Sequence, residues 1–439
     1  MNKLFYTIIL TFAFTTLLVA QEMLTKEKAI ELTLENNLNI KVAKNNKTQA
    51  KNSADILNSG YLPLVSLNSN NNIDLLDSEG ELAGGMKGSA NGVKTERYNA
   101  FVNLNYTLFD GLGRYYNYKK FKEIYNQSEL AVRQTIENTI LQLFSVYYEV
   151  ARLTEKAHTL AQVLNISRER LKRANYQFEF GQNTGLNVLN AEVDVNTDSI
   201  NLLNAQQLLR NTKRDLNLIM NQDLELIFKV DTIVKFIPGL DMEVMYKDAT
   251  SNNVQILLLE KEVSIASYSL KISKSGFLPT IGLLGSYGWN ESKNDNPLAF
   301  SIQNSSIGIS GGLSLSWNVF DGGKSITNTK NAIISYQNQQ LLKRQVELEI
   351  ERDIKNAWDI YQNALYVLAV QEKSMQTNQN NFQRTRERYR IGQITSIEFR
   401  QAQLNLLNAK LAKSQAKYNA KLSELKMLQV SGQLMNVEF

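Results

Sequence analysis

Residues 98–120 read YNAFVNLNYTLFDGLGRYYNYKK, a strand that becomes a long helix within a few residues. Tyr98, Ala100, Val102, Leu104, Tyr106 and Leu108 alternate with Asn99, Asn103, Asn105 and Thr107, a period of two with one apolar and one polar face. Phe109-Asp110-Gly111 ends the alternation. Asp110 is placed to cap the first free N–H groups of a helix, and Gly111 lets the backbone turn. The same event recurs at 307–330, IGISGGLSLSWNVFDGGKSITNTK, where Ile307, Ile309, Leu313, Leu315, Trp317 and Val319 alternate before Phe320-Asp321-Gly322.

Outward from these two switches the chain repeats itself. Residues 24–58 read as helix with a break at Asn36-Asn37, and Gly60-Tyr61-Leu62-Pro63 leads into a short strand at 64–70. Residues 71–97 are polar and Gly-rich and read as a loop before the strand at 98–109. Residues 112–178 carry a heptad, Ile136, Leu143, Val150, Ala157, Leu164 and Leu171, with Thr139, Val146, Leu153, Leu160 and Ser167 at the complementary position. Such a helix is a rod of roughly 100 Å. Gly181 and Gly185 break it, and 186–220 runs back with Val195, Leu202, Leu209 and Leu216 on its seam. After an irregular stretch at 222–250 around Pro238-Gly239, the plan restarts.

Asn252-Asn253 and Gly276-Phe277-Leu278-Pro279 match their counterparts at an offset of 216; Phe320-Asp321-Gly322 and Gly392 match theirs at 211. The second half predicts a helix at 251–275, strands at 280–289 and 306–320 around a polar loop at 290–305, and a long helix at 323–390. That helix carries Ile354, Tyr361, Leu368, Met375, Phe382 and Tyr389 every seven residues. The return helix at 395–430 carries Ile397, Leu404, Leu411, Tyr418 and Leu425. The expected organisation is a first repeat at 21–220 (strand pair 62–109, tip near 181), a linker at 221–250, a second repeat at 251–430 (strand pair 278–320, tip near 392) and a tail at 431–439. Summed lengths suggest that 186–220 stacks end to end on 251–275, and 395–430 on 24–58.

Composition narrows the function. The chain has 439 residues, 48 basic and 43 acidic, for a formal charge of +5, and no basic run that would mark a nucleic-acid partner. It has no cysteine, so disulfides, thiolate metal sites and lipidation of an N-terminal cysteine are excluded. The lone histidine, His158, lies inside a helical pattern, and Gly84-Gly85 and Gly311-Gly312 lack the spacing of a phosphate loop. No catalytic set, metal site or cofactor is expected. Residues 1–20, with Lys3, an apolar core and Ala20 before the cut, read as a cleaved signal peptide; the run is short for a spanning helix, the alternative. The apolar strand faces can belong to a soluble sandwich or meet lipid. No second sheet is in view to cover them, so Val102, Leu104, Leu313, Leu315 and Trp317 are expected to face lipid.

In this arrangement the chain resembles the TolC-type outer-membrane efflux proteins, the outer membrane factors, over roughly 24–430. The resemblance rests on the duplication, the Leu-Pro pairs at 62–63 and 278–279 and the Phe-Asp-Gly turns. It rests also on the tip segments Phe-Gly-Gln-Asn-Thr-Gly-Leu at 180–186 and Tyr-Arg-Ile-Gly-Gln-Ile-Thr-Ser-Ile-Glu at 389–398. It implies a mainly α fold with a β-barrel portion: four strands per protomer in a twelve-stranded outer-membrane barrel of a homotrimer, and coiled-coil hairpins forming a periplasmic α-barrel. The implied function is an exit duct, without chemistry of its own, for a tripartite efflux or type I secretion system. The implied partners are outer-membrane lipid, a periplasmic adaptor and an inner-membrane pump of RND, ABC or MFS type. Docking is implied at the tips, through Gly181, Thr184, Gly185, Gly392, Thr395 and Ser396. Relatives carry aspartates six and nine residues after the second tip glycine, positions that hold Glu398 and Gln401 here and Asn187 and Asn190 in the first hairpin. These four are the expected constriction; Glu398 can equally be a solvated acid favouring a helix N-terminus. An exported coiled-coil adhesion protein and a periplasmic adaptor subunit are the competing readings.

Overall fold

The computed structural model describes residues 23–81, 84–296 and 301–437; the expected signal peptide and its cleavage site lie outside them. The chain forms two compact units. One, 47–128 with 259–343, holds the sheet and the helix turns next to it; the other takes in the residues up to 46, 129–258 and 344 onward.

The helices come in matching sets. β1 (Met23–Leu24) leads to α1 (Lys26–Asn36) and α2 (Leu38–Ser53); after strands β2 (Leu64–Glu81) and β3 (Lys87–Phe109) come α3 (Gly113–Glu179) and α4 (Gly185–Met220). β4 (Lys229–Val230) then leads to α5 (Met242–Asn252) and α6 (Val254–Ser275), β5 (Thr280–Asn294) and β6 (Gln303–Ser316), α7 (Lys324–Arg390) and α8 (Ser396–Val430). α3 and α7 have 67 residues each, and α1 and α5 have 11 each.

In both repeats an asparagine separates the short helices. Asn37 has extended ψ, its Oδ1 accepts from the N–H of Asn39 and Ile40, and its Nδ2 donates to Ile219 O at 2.8 Å near the end of α4. Asn253 does the same, donating to Val430 O at 2.7 Å at the end of α8 and accepting from the Gln255 N–H at 2.9 Å. The start of α2 is therefore tied to the end of α4, and that of α6 to the end of α8. This corrects the stacking expected from summed lengths, which paired 186–220 with 251–275 and 395–430 with 24–58. Length could not choose between the pairings; the two buried carboxamides do.

The helical core is centred on Phe144, Tyr147, Tyr148 and Tyr418, all almost fully buried. Tyr148 stacks on Phe144 at 5.7 Å and tilts against Tyr418 at 5.7 Å. The Tyr147 hydroxyl donates to Leu24 O at 2.8 Å and accepts from the Asp231 N–H at 3.1 Å, which holds the parallel β1–β4 pair. Burial pushes its pKa up to about 12. Of the expected seams, Leu143, Val150, Leu153, Leu160, Leu164, Ile354, Tyr361, Phe382 and Leu425 are buried, whereas Ile397 is 73% exposed in the first turn of α8.

The unit of 47–128 and 259–343 contains a four-stranded antiparallel sheet of order β2-β3-β5-β6. Its strands are longer than the sequence suggested: 71–81 and 87–97 pair across a hairpin, and β5 runs on to Asn294. Those segments are polar, so they show no alternation, but a ladder of backbone hydrogen bonds needs none. β6 instead stops at Ser316, four residues early. Its neighbour β5 begins at Thr280, after Pro279, so 317–320 have no ladder to join. Trp317 is thereby outside the strand, its indole N–H donating to Phe277 O at 3.1 Å.

Both strand-to-helix turns use two successive left-handed residues, Gly111 (φ 68°) with Leu112 (φ 69°) and Gly322 (φ 70°) with Gly323 (φ 88°). Asp110 then caps α3 through Oδ2, which accepts from the Arg114 N–H at 2.9 Å. Asp321 caps α7 through the Ser325 N–H at 2.9 Å and hydroxyl at 2.6 Å. The Ser325 hydroxyl, with the N–H groups of Ser325 and Gly323, holds the Asp321 carboxyl below its ordinary range. Phe109 shares its register position with Ile281 across a bulge, while Phe320 is 82% exposed.

The two turn glycines differ in surroundings. A Cβ on Gly111 would lie 2.6 Å from Ser275 O and 2.9 Å from Leu278 Cβ, whereas one on Gly322 would meet nothing within 4 Å. Gly322→Ala is expected to cost about 1–2 kcal/mol for the left-handed backbone alone. Gly111→Ala is expected to cost clearly more, since backbone must also move. Thermal unfolding of the two purified variants checks the order.

Candidate functional site

Three features of the sequence were expected to carry function: the strand faces, the strand-to-helix turns and the hairpin tips. The register sorts the sheet into two faces, because residues paired across a ladder point the same way. One face carries Val65, Leu67, Val102, Leu104, Leu283, Tyr287, Ile309, Leu313 and Leu315. It is open to its surroundings: Leu67 is 73% exposed, Ile309 85% and Leu313 74%. Val102, Leu104, Leu313 and Leu315 thus lie together, as their alternation required, and Trp317 lies beyond the strand end. The opposite face carries Ser66, Asn68, Asn103, Asn105, Ser286 and Ser310, interleaved with Phe101 and Leu284, and further along the paired Asp74 and Arg97. Among the described residues β2 and β6 each pair on one side, which leaves two open edges.

The two tips are built alike up to one residue. α3 closes with the Gln182 N–H on Gln177 O and the Gly181 N–H on Phe178 O, and α7 with the Gln393 N–H on Arg388 O and the Gly392 N–H on Tyr389 O. This is the double hydrogen bond of a left-handed C-terminal cap, with the glycines at φ 67° and 75°. Thr184 and Thr395 then open the return helices, whose first residues are Gly185 and Ser396. Here the tips diverge. Thr395 and Glu398 form a full capping box: the Glu398 N–H donates to Thr395 Oγ1 at 3.2 Å, and Glu398 Oε2 accepts from the Thr395 N–H and hydroxyl, each at 2.8 Å. These bonds, the backbone N–H foremost, lower the Glu398 pKa. Thr184 makes no side-chain cap: the Asn187 N–H donates to Thr184 O at 3.1 Å, and the Asn187 amide, where Glu398 closes the box in the other tip, donates back to Asn183 Oδ1.

Glu398 and Gln401 are exposed, and Gln401 donates to Asn405 on its own helix at 2.8 Å. Asn190 is exposed as well. Among the described residues no hydrogen bond joins Glu398 or Gln401 to Asn187 or Asn190. What does join the hairpins was not singled out in the sequence. Arg400 grips Asp198 with both terminal nitrogens at 2.8 Å, and its Nε lies 3.3 Å from Asp194. Arg170 pairs with Asp194, and the Ser167 hydroxyl donates to Asp198 at 2.6 Å. Asp198, Arg170 and Ser167 are buried. The signal was available: Ser167 occupies a seam position of the heptad, where a polar residue asks for a partner.

No helix among the described residues is long and apolar enough to cross a membrane, and no group of acidic or histidine side chains among them could hold a metal ion. The sequence matches the family described as outer membrane efflux protein over 29–222 and 245–433. It is 23% identical over 339 residues to the outer membrane efflux protein BepC of Brucella suis, covering 76% of this chain and 72% of that one. It is 22% identical over 312 residues to the outer membrane protein TolC of Vibrio cholerae, covering 70% of each. The fold superimposes on the CmeC outer membrane channel of Campylobacter jejuni with a TM-score of 0.77 at 17% identity, over 93% of this chain and 86% of that one.

The difference between the caps sets an expectation. Thr395→Ala should cost about 1 kcal/mol and speed amide exchange at 398, whereas Thr184→Ala should leave the first turn of α4 unchanged. Glu398 has a depressed pKa, so its cap is complete above the ordinary carboxylate range and is lost as pH falls through the lowered value. Exchange at residue 395 should therefore accelerate, beyond the intrinsic trend, only in acid.

Proposed function

The chain belongs to the outer membrane efflux protein family and is an outer-membrane efflux channel, and on that footing we propose how its surfaces divide the work. The carrying observation is the sheet: one face largely apolar and exposed, the other mainly Asn and Ser, with two open edges. Open edges are not tolerated in lipid, so the sheet must be closed by further strands. Three copies contributing four strands each make a barrel of twelve, an even number within the range of such barrels. The strands run 14 to 23 residues, beyond the roughly 9–11 that a tilted strand needs to cross.

The helices support association of copies as well. Leu186, Leu189, Val193, Ile200 and Leu203 on α4 follow coiled-coil spacing and are 58–66% exposed in one copy. The wall of the duct would carry the Asn and Ser face of the sheet, which screens cargo little by charge. The rigid tips at Gly181 and Gly392 are the surfaces offered to a periplasmic adaptor, through which an inner-membrane pump of RND, ABC or MFS type would feed the duct. Glu398 would contribute to a constriction there only with the oxygens its capping box leaves free. A copy of Glu398 from each protomer would favour cations modestly.

Two outcomes test this division. Leu313→Arg should cost roughly 2–4 kcal/mol near the bilayer midplane and block insertion, while Ser314→Arg, on the opposite face, should insert normally. Protease protection in outer-membrane extracts reads the difference; equal insertion of both would end the lipid-facing assignment. At the tips, Thr184→Trp should abolish efflux of a dye from whole cells while cross-linking still finds trimers. Thr184 is the cleaner position, because Thr395 also caps its helix.

A further inference from the structure

Four segments carry the chain between helix and sheet, and their charges are lopsided. The end of α2 carries exposed Lys51; the start of α3 carries Lys119, Lys120 and Lys122; the end of α6 carries Lys271 and Lys274; the start of α7 carries Lys324 and Lys330. Among the described residues none of these lysines pairs with a carboxylate. The acids nearby are occupied: Asp55 accepts from the Leu57 N–H at 2.9 Å, and Asp110 and Asp321 cap their helices. Further along the same helices the pattern changes. There Glu123 pairs with Lys261 at 3.0 Å and Glu260 with Lys343 at 2.8 Å. Glu123 directly follows Lys122 but is spent on Lys261, so the acid nearest these lysines is committed to another helix.

Several of these lysines rest on tyrosines instead. Lys119 Nζ lies 5.7 Å from the Tyr115 ring, Lys122 Nζ 4.5 Å from Tyr118, and Lys271 Nζ 5.6 Å from Tyr116 and 5.0 Å from Tyr268. An aromatic face steadies an ammonium without neutralising it, so its charge stays available to an outside anion. Tyrosine rings with long basic side chains are the composition of a membrane–water interface.

We propose that this tyrosine-supported lysine collar binds the phosphates of anionic phospholipids in the leaflet at the helical end of the barrel. The proposal rests on the lipid-facing reading of the sheet given above. The occupant follows from continuity: the collar begins where the exposed apolar face of the strands ends, the depth at which acyl chains give way to headgroups. Its role would be to seat the barrel at a defined depth and to favour insertion into membrane containing anionic lipid.

The test uses the full-length protein reconstituted with spin-labelled phosphatidylglycerol or phosphatidylcholine, reading the motionally restricted lipid by electron paramagnetic resonance. Wild type should hold phosphatidylglycerol several-fold more tightly, with a gain of up to about fivefold for each lysine that meets a headgroup, and salt should weaken this preference. In Lys119→Gln/Lys122→Gln/Lys271→Gln the preference should fall towards one while the amount of restricted lipid stays the same. Restricted lipid without preference in wild type, or a preference kept by the triple variant, overturns the collar and leaves the barrel standing. No restricted lipid with either label removes the barrel reading itself. If the triple variant keeps its lipid preference but its channels become more cation-selective, the lysines line the duct and the proposal fails.

Discussion

Two asparagine side chains carry a disproportionate share of this architecture. Asn37 and Asn253 each interrupt a helix, cap the next one with the amide oxygen and hold the end of a returning helix with the amide nitrogen. Both are nearly buried, at 7% and 5% exposure, so removing either carboxamide would strand a carbonyl and N–H groups away from water. Through these contacts the start of α2 meets the end of α4, and the start of α6 meets the end of α8. Asparagine suits the task because one short side chain holds a donor and an acceptor and tolerates the extended ψ of the break.

The same economy of polar groups recurs wherever the chain changes direction. At the strand-to-helix turns the aspartates are taken up by backbone N–H groups and, at Asp110, by Arg114, so among the described residues the neighbouring lysines have no acidic partner. At the second tip Glu398 is consumed by Thr395, so an acid that looks free in sequence is half committed to holding its helix. Near the tips the reverse holds. Arg170, Asp198 and Arg400 are largely withdrawn from solvent and, with the part-exposed Asp194, form ion pairs across three helices, a costly arrangement unless the partners stay in register.

The duplication makes these assignments firmer than a single copy would. Equivalent positions hold Asn37 and Asn253, Asp110 and Asp321, and Gly181 and Gly392, and each pair has nearly the same hydrogen bonds. Where the copies differ, the consequence is local: Leu112 adopts a left-handed backbone that Gly323 adopts without strain, and Asn187 cannot close the capping box that Glu398 closes.

By itself the sequence determined the elements that depend on neighbours along the chain. Period two at 98–109 and period seven along 136–171 follow from which face of a strand or helix must be dry. The turns at 109–111 and 320–322 follow from the capping and backbone preferences of Asp and Gly. Only the tertiary structure decided what depends on distant partners. The polar segments 71–81 and 87–97 are strands because each saturates the other's backbone, which leaves no trace in side-chain pattern. β6 ends at Ser316 because Pro279 denies it a neighbour. The pairing of α4 with α2, and of α8 with α6, was settled by two amide hydrogen bonds across more than 170 residues, and the Arg400–Asp198 link spans a similar separation. Periodicity reports what a residue buries; it does not report against what, because that is chosen by complementary groups that meet only after the chain has folded.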